Sequence, residues 1–520
     1  MDDNANLYAA LRAAFPAALD AVAIETADGA GAPLHYSWRD LDRGSAMIAN
    51  LLAALELPAG ARVAVHTDKS VEALMLYLAV LRAGCVVLPL NPAYRGAEVA
   101  YFIGDAEPAV VVCASRDFGW VSRIAFQAGV GHVFTLDDDR SGSLLERAAQ
   151  YAGEHAIARR RSDELAAIVY TSGTTGRSKG AMLSHGNLLS NARVLHAHWG
   201  WRSDDVLLHL LPIFHVHGLF VASHGALLAG ARMIWFGRFD ARATIARLPE
   251  ATVAMGVPTL YVRMLAEPAL TREVCARMRL FISGSAPLLP ETFDAWRART
   301  GHTILERYGM SETIMLTSNP YRPVEGRRAG TVGPALPGVQ LRIRDDQGGE
   351  LPPEAIGNIE VRGPNVFAGY WRRPEKTAEE FSADGWFRTG DLGRIDAAGV
   401  VTIVGRSKDL IISGGFNVYP AEVEALLNEQ PGVAESAVIG VPHPDFGEAV
   451  VAVLARRPGA APDADAILAA LKTRVAGFKV PKAAFVVDEL PRNTMGKVQK
   501  ALLRDRHRAL FAAPSPAAQP

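Results

Sequence analysis

The chain has 520 residues, a formal net charge of −1 at pH 7 and a pI near 6.9. A chain this close to neutral has no global attraction for nucleic acid or acidic membranes. Its 49% hydrophobic and 21% charged content excludes an intrinsically disordered protein, and its length predicts more than one domain. The three cysteines, Cys85, Cys113 and Cys275, are far apart and odd in number, so we expect neither a disulfide framework nor a cysteine-based zinc site.

A secretory signal peptide begins with a basic region that an apolar stretch follows. The N-terminal residues Met1-Asp2-Asp3-Asn4 do not fit that pattern. No stretch approaches the roughly 18 consecutive apolar residues that would cross a bilayer. We therefore expect a cytoplasmic protein that binds no membrane.

Apolar, β-rich runs alternate with segments of helical period through roughly the first 330 residues, which predicts an α/β fold with largely parallel sheets. From about residue 331, short strand signals separated by glycine and proline predict a small β-rich module. After about residue 409 a renewed alternation predicts a small α+β domain that extends to about residue 510. The tail at 511–520 is rich in proline and alanine, and we expect it to be disordered.

The sharpest local signal is the segment at 170–180, which reads Tyr-Thr-Ser-Gly-Thr-Thr-Gly-Arg-Ser-Lys-Gly. Glycines permit close backbone approach, and hydroxyls together with the Lys179 charge suit a polyphosphate. The segment is not a Walker A loop, because Ser178 precedes Lys179 and Gly180 follows it. Composition alone leaves a flexible linker equally open.

The order Ser-Gly-Thr-Thr-Gly-x-x-Lys-Gly resembles the signature of the adenylate-forming superfamily, which includes acyl-CoA synthetases, luciferases and peptide-synthetase adenylation domains. Four further segments resemble motifs of that superfamily in the same order: Glu306-Arg307-Tyr308-Gly309-Met310-Ser311-Glu312, Trp386-Phe387-Arg388-Thr389-Gly390-Asp391, Gly405-Arg406-Ser407-Lys408-Asp409 and Pro491-Arg492-Asn493-Thr494-Met495-Gly496-Lys497. The resemblance runs from about residue 20 to 508. It implies a large N-terminal domain of parallel α/β subdomains plus the β-rich module at 1–405, a hinge at 406–409 and a mobile lid domain at 410–510.

The resemblance implies that the chain activates a carboxylate with ATP. Attack on the α-phosphate gathers negative charge, so the protein must position the reactants and neutralise that charge. Glu312 is implied to hold Mg²⁺, Ser311 to donate to the α-phosphate, and Tyr308 to face the adenine. By itself Tyr308 would more often be a core residue, and Asp391 a turn residue. The implied ATP-binding residues are Thr171, Ser172, Gly173, Thr174, Thr175, Gly176, Lys179, Tyr308, Asp391 and Arg406.

The resemblance also implies a second half-reaction with coenzyme A. Lys497 would bridge the acyl oxygen and the α-phosphate during adenylation, and a lysine acetyltransferase that neutralised it would switch adenylation off. Rotation of the lid about Lys408 would then admit the thiol. Gly414, Gly415 and Phe416 would border the pantetheine tunnel, although a simple β-turn is equally consistent with their sequence.

The acyl pocket is expected from the segments Phe214-His215-Val216-His217-Gly218, Gly256-Val257-Pro258-Thr259-Leu260-Tyr261-Val262-Arg263 and Ser283-Gly284-Ser285-Ala286-Pro287. Within the superfamily, these segments most resemble those of malonyl-CoA synthetases. There Arg263 and Ser285 would hold the second carboxylate, since a buried carboxylate without a partner is costly and a guanidinium binds it bidentately. The alternative is that Arg263 lies on a helix surface in solvent. His215 and Met310 complete the implied substrate-binding set. For His217 we expect packing, or a hydrogen bond that supports another site residue.

The sequence therefore predicts a two-step malonate–CoA ligase. The resemblance to malonyl-CoA synthetases leads us to expect Asn at the position of Leu316. This apolar residue makes methylmalonate a second candidate substrate. A medium-chain or aryl-acid CoA ligase remains an alternative, as does an enzyme that loads a carrier protein supplied in trans. A non-catalytic nucleotide-binding protein is the alternative of another class, but Lys179, Glu312, Asp391 and Lys497 are all present.

Replacing Lys497 with Ala is expected to slow adenylation by about 10²–10³-fold, because one preorganised donor to the developing charge is lost. Thioester formation from a supplied acyl-adenylate should survive. Pyrophosphate release measures the first half-reaction, and CoA-thioester formation from the acyl-adenylate measures the second. Equal loss of both would contradict the role of Lys497.

Overall fold

The computed structural model of the chain describes residues 4–27, 31–171, 178–414, 416–493 and 496–511. The chain divides into two compact units. The first consists of Met1–Gln340 and Val361–Phe387, and the second of Leu341–Glu360 and Arg388–Pro520. The domain boundaries expected from the sequence remain predictions, and residues 512–520 of the expected tail lie outside the described residues.

The strands of the described residues are β1 (Val22–Ala27), β2 (Pro33–Ser37), β3 (Arg62–His66), β4 (Val86–Pro89), β5 (Val110–Cys113), β6 (His132–Thr135), β7 (Leu165–Thr171), β8 (Lys179–Ser184), β9 (Val206–His209), β10 (Arg232–Trp235), β11 (Val253–Gly256), β12 (Leu280–Ser283), β13 (Leu305–Tyr308), β14 (Thr317–Ser318), β15 (Gln340–Arg344), β16 (Gly357–Arg362), β17 (Phe387–Ile395), β18 (Val401–Arg406), β19 (Ile411–Ser413), β20 (Phe416–Val418), β21 (Val433–His443), β22 (Gly447–Arg456) and β23 (Ala483–Val487).

The α-helices of the described residues are α1 (Leu7–Ala13), α2 (Trp38–Ala54), α3 (Val71–Arg82), α4 (Gly96–Ala106), α5 (Phe118–Gln127), α6 (Ser143–Ala148), α7 (His185–His198), α8 (His224–Ala229), α9 (Ala241–Arg247), α10 (Pro258–Leu265), α11 (Pro290–Thr300), α12 (Pro374–Glu380), α13 (Pro420–Asn428), α14 (Ala464–Leu471) and α15 (Lys500–His507). A π-helical turn, His217–Ser223, leads directly into α8.

One six-stranded sheet of the first unit has the order β6-β5-β3-β4-β7-β8. Its neighbouring strands run parallel except β7 and β8, which pair antiparallel. Strand β5 reads Val-Val-Val-Cys and is buried throughout, as expected for a parallel strand covered on both faces. The segment between β7 and β8 is the glycine- and hydroxyl-rich one, of which residues 172–177 lie outside the described residues.

An eight-stranded sheet, with the order β14-β13-β12-β11-β9-β10-β1-β2, completes the first unit. Its six inner strands are parallel, and the edge strands β14 and β2 are antiparallel to their neighbours. The carboxyl ends of parallel strands meet at one edge of a sheet. The loops after β9, β11, β12 and β13 therefore leave this sheet side by side.

Helix α3 is buried along its whole length, which requires its two charged side chains to have partners. The Glu72 carboxylate accepts a hydrogen bond from the Tyr36 hydroxyl, and Arg82 Nη1 lies 2.9 Å from Asp42 Oδ1. The helix thus fills the interior of the first unit without an unpaired charge.

The second unit contains the four-stranded sheet β15-β16-β17-β18 and a five-stranded sheet formed by β19 to β23. Alternate residues of β22 enter two different cores because successive side chains point to opposite faces of a strand. Val450 and Ala452 pack with α13 and α14 on one face, and Val451 and Val453 pack with α15 on the other. The expected α/β fold class, with a small β-rich module and a smaller α+β part, is confirmed.

Across the described ranges, every helix is too short or too polar to span a bilayer.

Two buried histidines of the first unit are held in the neutral form. The Leu7 amide donates to His185 Nδ1 at 3.0 Å, and burial lowers the pKa of His185 to about 4. His224 Nε2 lies 2.8 Å from the Tyr77 hydroxyl, and burial lowers the pKa of His224 to about 3. Both rings are therefore neutral in the folded protein at physiological pH.

The buried His185 and His224 predict that the folded protein loses stability as the pH falls. Both pKa values lie below the ~6.5 of an unfolded chain, so the unfolded state binds protons first as the pH falls. Their contribution to stability is complete above about pH 6.5 and declines toward pH 4, by about 2 kcal/mol for each ring at pH 5. The melting temperature between pH 5 and 8 measures this decline. His185→Asn keeps an acceptor for the Leu7 amide and should flatten the decline, and an unchanged slope would contradict the account.

Candidate active site

Four parallel strands of the eight-stranded sheet end level with one another. The register places Gly256 of β11 beside Ser283 of β12, and Ser283 beside Glu306 of β13. Crevices at the carboxyl ends of parallel strands are where α/β proteins bind ligands. We call the predicted residues at or after these ends the strand-end site; they are His215, Arg263, Ser285, Tyr308, Met310, Ser311 and Glu312.

Ser285 contacts a histidine that follows a different strand. Its Oγ lies 3.3 Å from His217 Nδ1. Ser285 has a φ of 71°, a left-handed conformation that serine rarely adopts. Burial holds the pKa of His217 well below its ordinary value, and the neighbouring Arg307 charge adds to that effect. The ring that faces the Ser285 hydroxyl is therefore a neutral imidazole.

His217 is placed by the π-helical turn that it begins, His217–Ser223. The carbonyl of the next residue, Gly218, accepts hydrogen bonds from His209 Nε2 at 3.1 Å and from Ser223 Oγ at 3.0 Å. A Cβ on Gly218 would lie 2.1 Å from a neighbouring backbone oxygen, so glycine is required there. Buried polar contacts thus fix the backbone that carries the imidazole.

A buried guanidinium lies beneath the Ser285 loop. Arg307 is only 2% exposed, and a Cβ added to Gly284 would lie 2.5 Å from its Cζ. Its Nε and Nη2 have no hydrogen-bond partner among the described residues. Burial lowers the pKa of Arg307 to about 9, while the neighbouring Tyr261 and Glu306 oppose that shift. A buried cation with unsatisfied donors is costly unless an anion meets it.

The carboxyl group next to that guanidinium is itself perturbed. Glu306 is buried, and its Oε1 accepts a hydrogen bond from the Leu288 amide at 3.2 Å. Burial raises the pKa of Glu306 to about 8. Glu306 therefore takes up a proton near neutral pH, and it does not fully neutralise Arg307.

Arg263 projects from α10, which is anchored by a hydrogen bond from the Tyr261 hydroxyl to the Ile282 carbonyl at 2.6 Å. The Arg263 side chain is exposed and has neither a hydrogen bond nor an ion pair with any residue that the structure describes. An exposed guanidinium fits both a surface residue in solvent and a ligand-binding residue at an open site. The role predicted for Arg263 remains a prediction.

The segment after β13, which carries Met310, Ser311 and Glu312, forms a tight turn. The Ile314 amide donates to the Met310 carbonyl at 2.8 Å, and a Cβ on Gly309 would lie 1.9 Å from the Ile314 oxygen. Tyr308, Met310 and Ser311 are half-buried at this turn, and Glu312 is buried. Leu316 is fully buried, and its amide donates to the Tyr308 carbonyl at 2.9 Å.

Lys179 and Glu312 are connected through Tyr370. Lys179 Nζ lies 4.1 Å from the centre of the Tyr370 ring and 3.0 Å from Glu380 Oε1. The Tyr370 hydroxyl donates to Glu312 Oε1 at 2.9 Å. Thr171 Oγ1 donates to the Lys179 carbonyl at 3.4 Å at the end of the β7–β8 pair. The structure thus brings together the charged residues of two separate motifs.

The other five predicted residues of the phosphate loop, Ser172, Gly173, Thr174, Thr175 and Gly176, lie outside the described residues.

Glu312 fits the predicted magnesium ion. Mg²⁺ is a hard cation that proteins hold with one or two carboxylates plus substrate phosphates and waters. Glu312 is a buried carboxylate at this turn, and its Oε1 accepts a hydrogen bond from Tyr370, so it offers oxygen ligands of the kind Mg²⁺ prefers. Within the described part of the chain there is no cluster of three or more His, Cys, Asp or Glu residues for an all-protein metal cage.

In the second unit, Asp391 and Arg406 are neighbours across β17 and β18. Asp391 is buried, and its Oδ1 lies 2.7 Å from Arg406 Nε. Burial, reinforced by the Arg406 charge, lowers the pKa of Lys408 to about 8. Two predicted ribose-contacting residues and the predicted hinge lysine therefore lie together in this unit.

Lys497 is half-buried in a turn that Asn493 closes. The Lys497 amide donates to Asn493 Oδ1 at 3.0 Å, and the Asn493 amide donates to the Lys497 carbonyl at 2.9 Å. These reciprocal bonds fix the Lys497 backbone.

Two of the three predicted CoA-site residues are described. Gly414 has a φ of 58°, and its amide donates to the Phe446 carbonyl at 2.9 Å. Phe416 is exposed and stacks on Phe478 with ring centres 4.6 Å apart. Gly415 lies outside the described residues.

Sequence reasoning missed Arg307 and Tyr370 as site residues. Arg307 stands in a buried strand directly before Tyr308, and a charge in a buried strand is the signal that could have found it. Tyr370 has no such signal, because its contact with Glu312 joins residues 58 positions apart.

The chain matches two protein-family models, AMP-binding enzyme over residues 12–371 and AMP-binding enzyme C-terminal domain over residues 422–497. It is 34% identical over 477 residues to the malonate–CoA ligase of Arabidopsis thaliana, which is 86% of this chain and 78% of that protein. It is 37% identical over 446 residues to the indoleacetate–CoA ligase of Aromatoleum aromaticum, which is 83% of this chain and 85% of that protein.

Among solved structures, the crystal structure of ATP-bound MatB from Rhodopseudomonas palustris is 54% identical to this chain. The match covers 98% of this chain and 100% of that chain, with a TM-score of 0.94.

Proposed function

Because the chain belongs to the AMP-binding enzyme family, we propose that it is an ATP-dependent malonate–CoA ligase. In the first half-reaction a malonate oxygen attacks the α-phosphorus of ATP, and malonyl-AMP and pyrophosphate form. In the second, the sulfur of CoA attacks the acyl carbon, AMP leaves, and malonyl-CoA forms. The similarity to a malonate–CoA ligase supports this choice of acid, and the similarity to ATP-bound MatB supports the use of ATP.

The buried Arg307 is the observation that carries the choice of a dicarboxylate. Malonate keeps one carboxylate after the other is activated, and that remaining charge would meet the two unpaired donors of Arg307. An alkyl or aryl acid would leave the guanidinium buried without a partner, which is costly. Ser285, beside Gly284, supplies a neutral donor for the same carboxylate.

We retain Arg263 as a second cation for this carboxylate. Because it is exposed, it would act at the solvent side of the site, where it would also attract the dianionic substrate. Met310 and His215 would complete the walls around the acid. Methylmalonate is the second substrate proposed, because Leu316 is apolar where the resemblance to malonyl-CoA synthetases leads us to expect Asn.

The ATP-binding role falls to the residues predicted for it. Lys179 would neutralise phosphate charge, Ser311 would donate to the α-phosphate, and Tyr308 would lie against the adenine. Glu312 would hold Mg²⁺, which supplies further neutralisation of the triphosphate when bound. Asp391 and Arg406 would hold the ribose. Thr171 and the residues Ser172, Gly173, Thr174, Thr175 and Gly176 would surround the phosphates.

Other parts of the proposal rest on sequence motifs alone. Lys497 would serve the adenylation half-reaction, and Lys408, Gly414, Gly415 and Phe416 the thioester half-reaction. The division into an N-terminal domain at 1–405, a hinge at 406–409 and a lid at 410–510 belongs to the same proposal. Acetylation of Lys497 and a cytoplasmic location also remain predictions.

The purified protein, given ATP, Mg²⁺ and CoA, should form thioesters of malonate and methylmalonate far faster than those of acetate, butyrate, benzoate or indoleacetate. The reason is that each monocarboxylate leaves Arg307 unpaired. Thioester formation followed by chromatography at matched acid concentrations measures the preference. A monocarboxylate preference would overturn the choice of acid, and ATP binding without pyrophosphate release for any acid would favour the non-catalytic alternative.

Replacing Arg307 with Met should separate stability from function. Removing a buried charge without a partner is often stabilising, so the melting temperature without ligands should not fall. The kcat/KM for malonate should fall by about 100-fold or more, because a charge-assisted bidentate contact is lost.

Arg263→Leu is the matched exposed variant. It should leave the melting temperature unchanged and should also lower malonate use if Arg263 binds the acid. A lower melting temperature together with unchanged malonate kinetics for Arg307→Met would show that Arg307 is structural.

A further inference from the structure

The imidazole of His217 has no part in the proposed chemistry, yet it makes a specific polar contact with a predicted substrate-binding residue. Its Nδ1 lies 3.3 Å from Ser285 Oγ, and the two residues follow different strands of the sheet. We propose that His217 is a positioning residue: its Nδ1–H donates to Ser285 Oγ, which directs the hydroxyl proton of Ser285 toward the second carboxylate of the substrate. This inference rests on the proposed function.

The proton count of the pair supports this direction. A serine hydroxyl has one proton, which it can give either to the imidazole or to a ligand. If Nδ1 accepted that proton, the Ser285 oxygen would present only lone pairs to the incoming carboxylate, and two acceptors repel. When Nδ1–H donates instead, the hydroxyl proton is available to the anion. Burial keeps the pKa of His217 low, so the ring carries a single proton to place.

The backbone at both residues is held for this contact. The His217 ring enters from a π-helical turn, a geometry that is rare and frequent at functional sites. The Gly218 carbonyl at the start of the turn is held by His209 and Ser223, so the ring cannot withdraw. On the other side, Ser285 has a φ of 71°, a strained conformation that persists where surrounding contacts determine it.

The Arg307 cation beneath the Ser285 loop makes the contact between His217 and Ser285 selective for an anionic ligand. Arg307 packs against Gly284, the residue before Ser285, and leaves two donors unpaired among the described residues. A carboxylate drawn to that charge arrives beside the Ser285 hydroxyl. The ligand therefore selects the arrangement in which His217 donates and Ser285 donates onward.

The test compares His217→Leu, His217→Asn, Ser285→Ala and the double variant His217→Leu/Ser285→Ala, each in the full chain, by malonate-dependent ATP–pyrophosphate exchange. His217→Leu and Ser285→Ala should each raise the KM for malonate by about tenfold, the effect of losing one hydrogen bond to a charged group. The KM for ATP should not change. The double variant should be no worse than Ser285→Ala, because both changes remove one and the same donor.

His217→Asn carries an amide N–H near the position of Nδ1 and should restore most of the malonate affinity. His217→Gln places its amide too far along the side chain and should resemble His217→Leu, so this pair keeps the test valid if the leucine variant does not fold. His185→Asn is the matched control for the loss of a buried histidine. It should change the melting temperature but not the KM for malonate.

Two results would overturn the inference while leaving the proposed function intact. One is an unchanged KM for malonate in His217→Leu. The other is full multiplication of the two single effects in the double variant. Failure of the proposed function would be evident earlier, because wild-type protein would then show no malonate-dependent exchange.

Discussion

The site depends on one constraint, the alignment of the carboxyl ends of the parallel strands β9, β11, β12 and β13. Backbone hydrogen bonds align these strands in parallel, with Met255 beside His209 and Gly256 beside Ser283. Strands whose ends lie 25 to 99 residues apart in the chain thereby leave the sheet at one edge, with neighbouring strands on the order of one strand spacing apart. A slip of one residue in any ladder would turn that strand's side chains to the opposite face. The register is thus what brings a serine, a histidine and an arginine into one neighbourhood.

This edge carries polar groups at a cost in stability. A neutral buried His217, a protonatable buried Glu306 and an Arg307 with two donors unsatisfied by the described residues would each be removed by selection for stability alone. The cost can be carried because the neighbouring strands β11 and β12 are buried at every residue. Donors that are fixed before the ligand arrives need no reorganisation when it binds, which is the advantage of such a site in catalysis.

The sequence predicted the α/β class and the order of the motifs because strands, glycine turns and charged motif residues are local signals. It also predicted that Asp391 and Arg406 contact the nucleotide, which remains a prediction; in the structure the two residues are register neighbours. It could not predict the contact of Tyr370 with Glu312 or that of Ser285 with His217, since these depend on chain topology across 58 and 68 positions. The two Arg307 donors that lack a partner among the described residues were equally unpredictable, because burial and hydrogen bonding are properties of the folded chain and not of a motif.

Overall similarity favours malonate, but it does not show which side chains select the acid. This chain is 34% identical to a malonate–CoA ligase and 37% identical to an indoleacetate–CoA ligase, so identity alone does not locate the residues that distinguish a dicarboxylate from an aryl acid. Identity averaged over more than 400 residues is dominated by what every such enzyme shares, namely the sheets and the groups that hold ATP. The choice of acid depends instead on a few side chains whose energetic demands are specific. A buried guanidinium is satisfied by an anion and penalised by an apolar group, so in the proposed function Arg307 would separate the two classes of acid by an amount on the order of the penalty for leaving a buried charge unpaired.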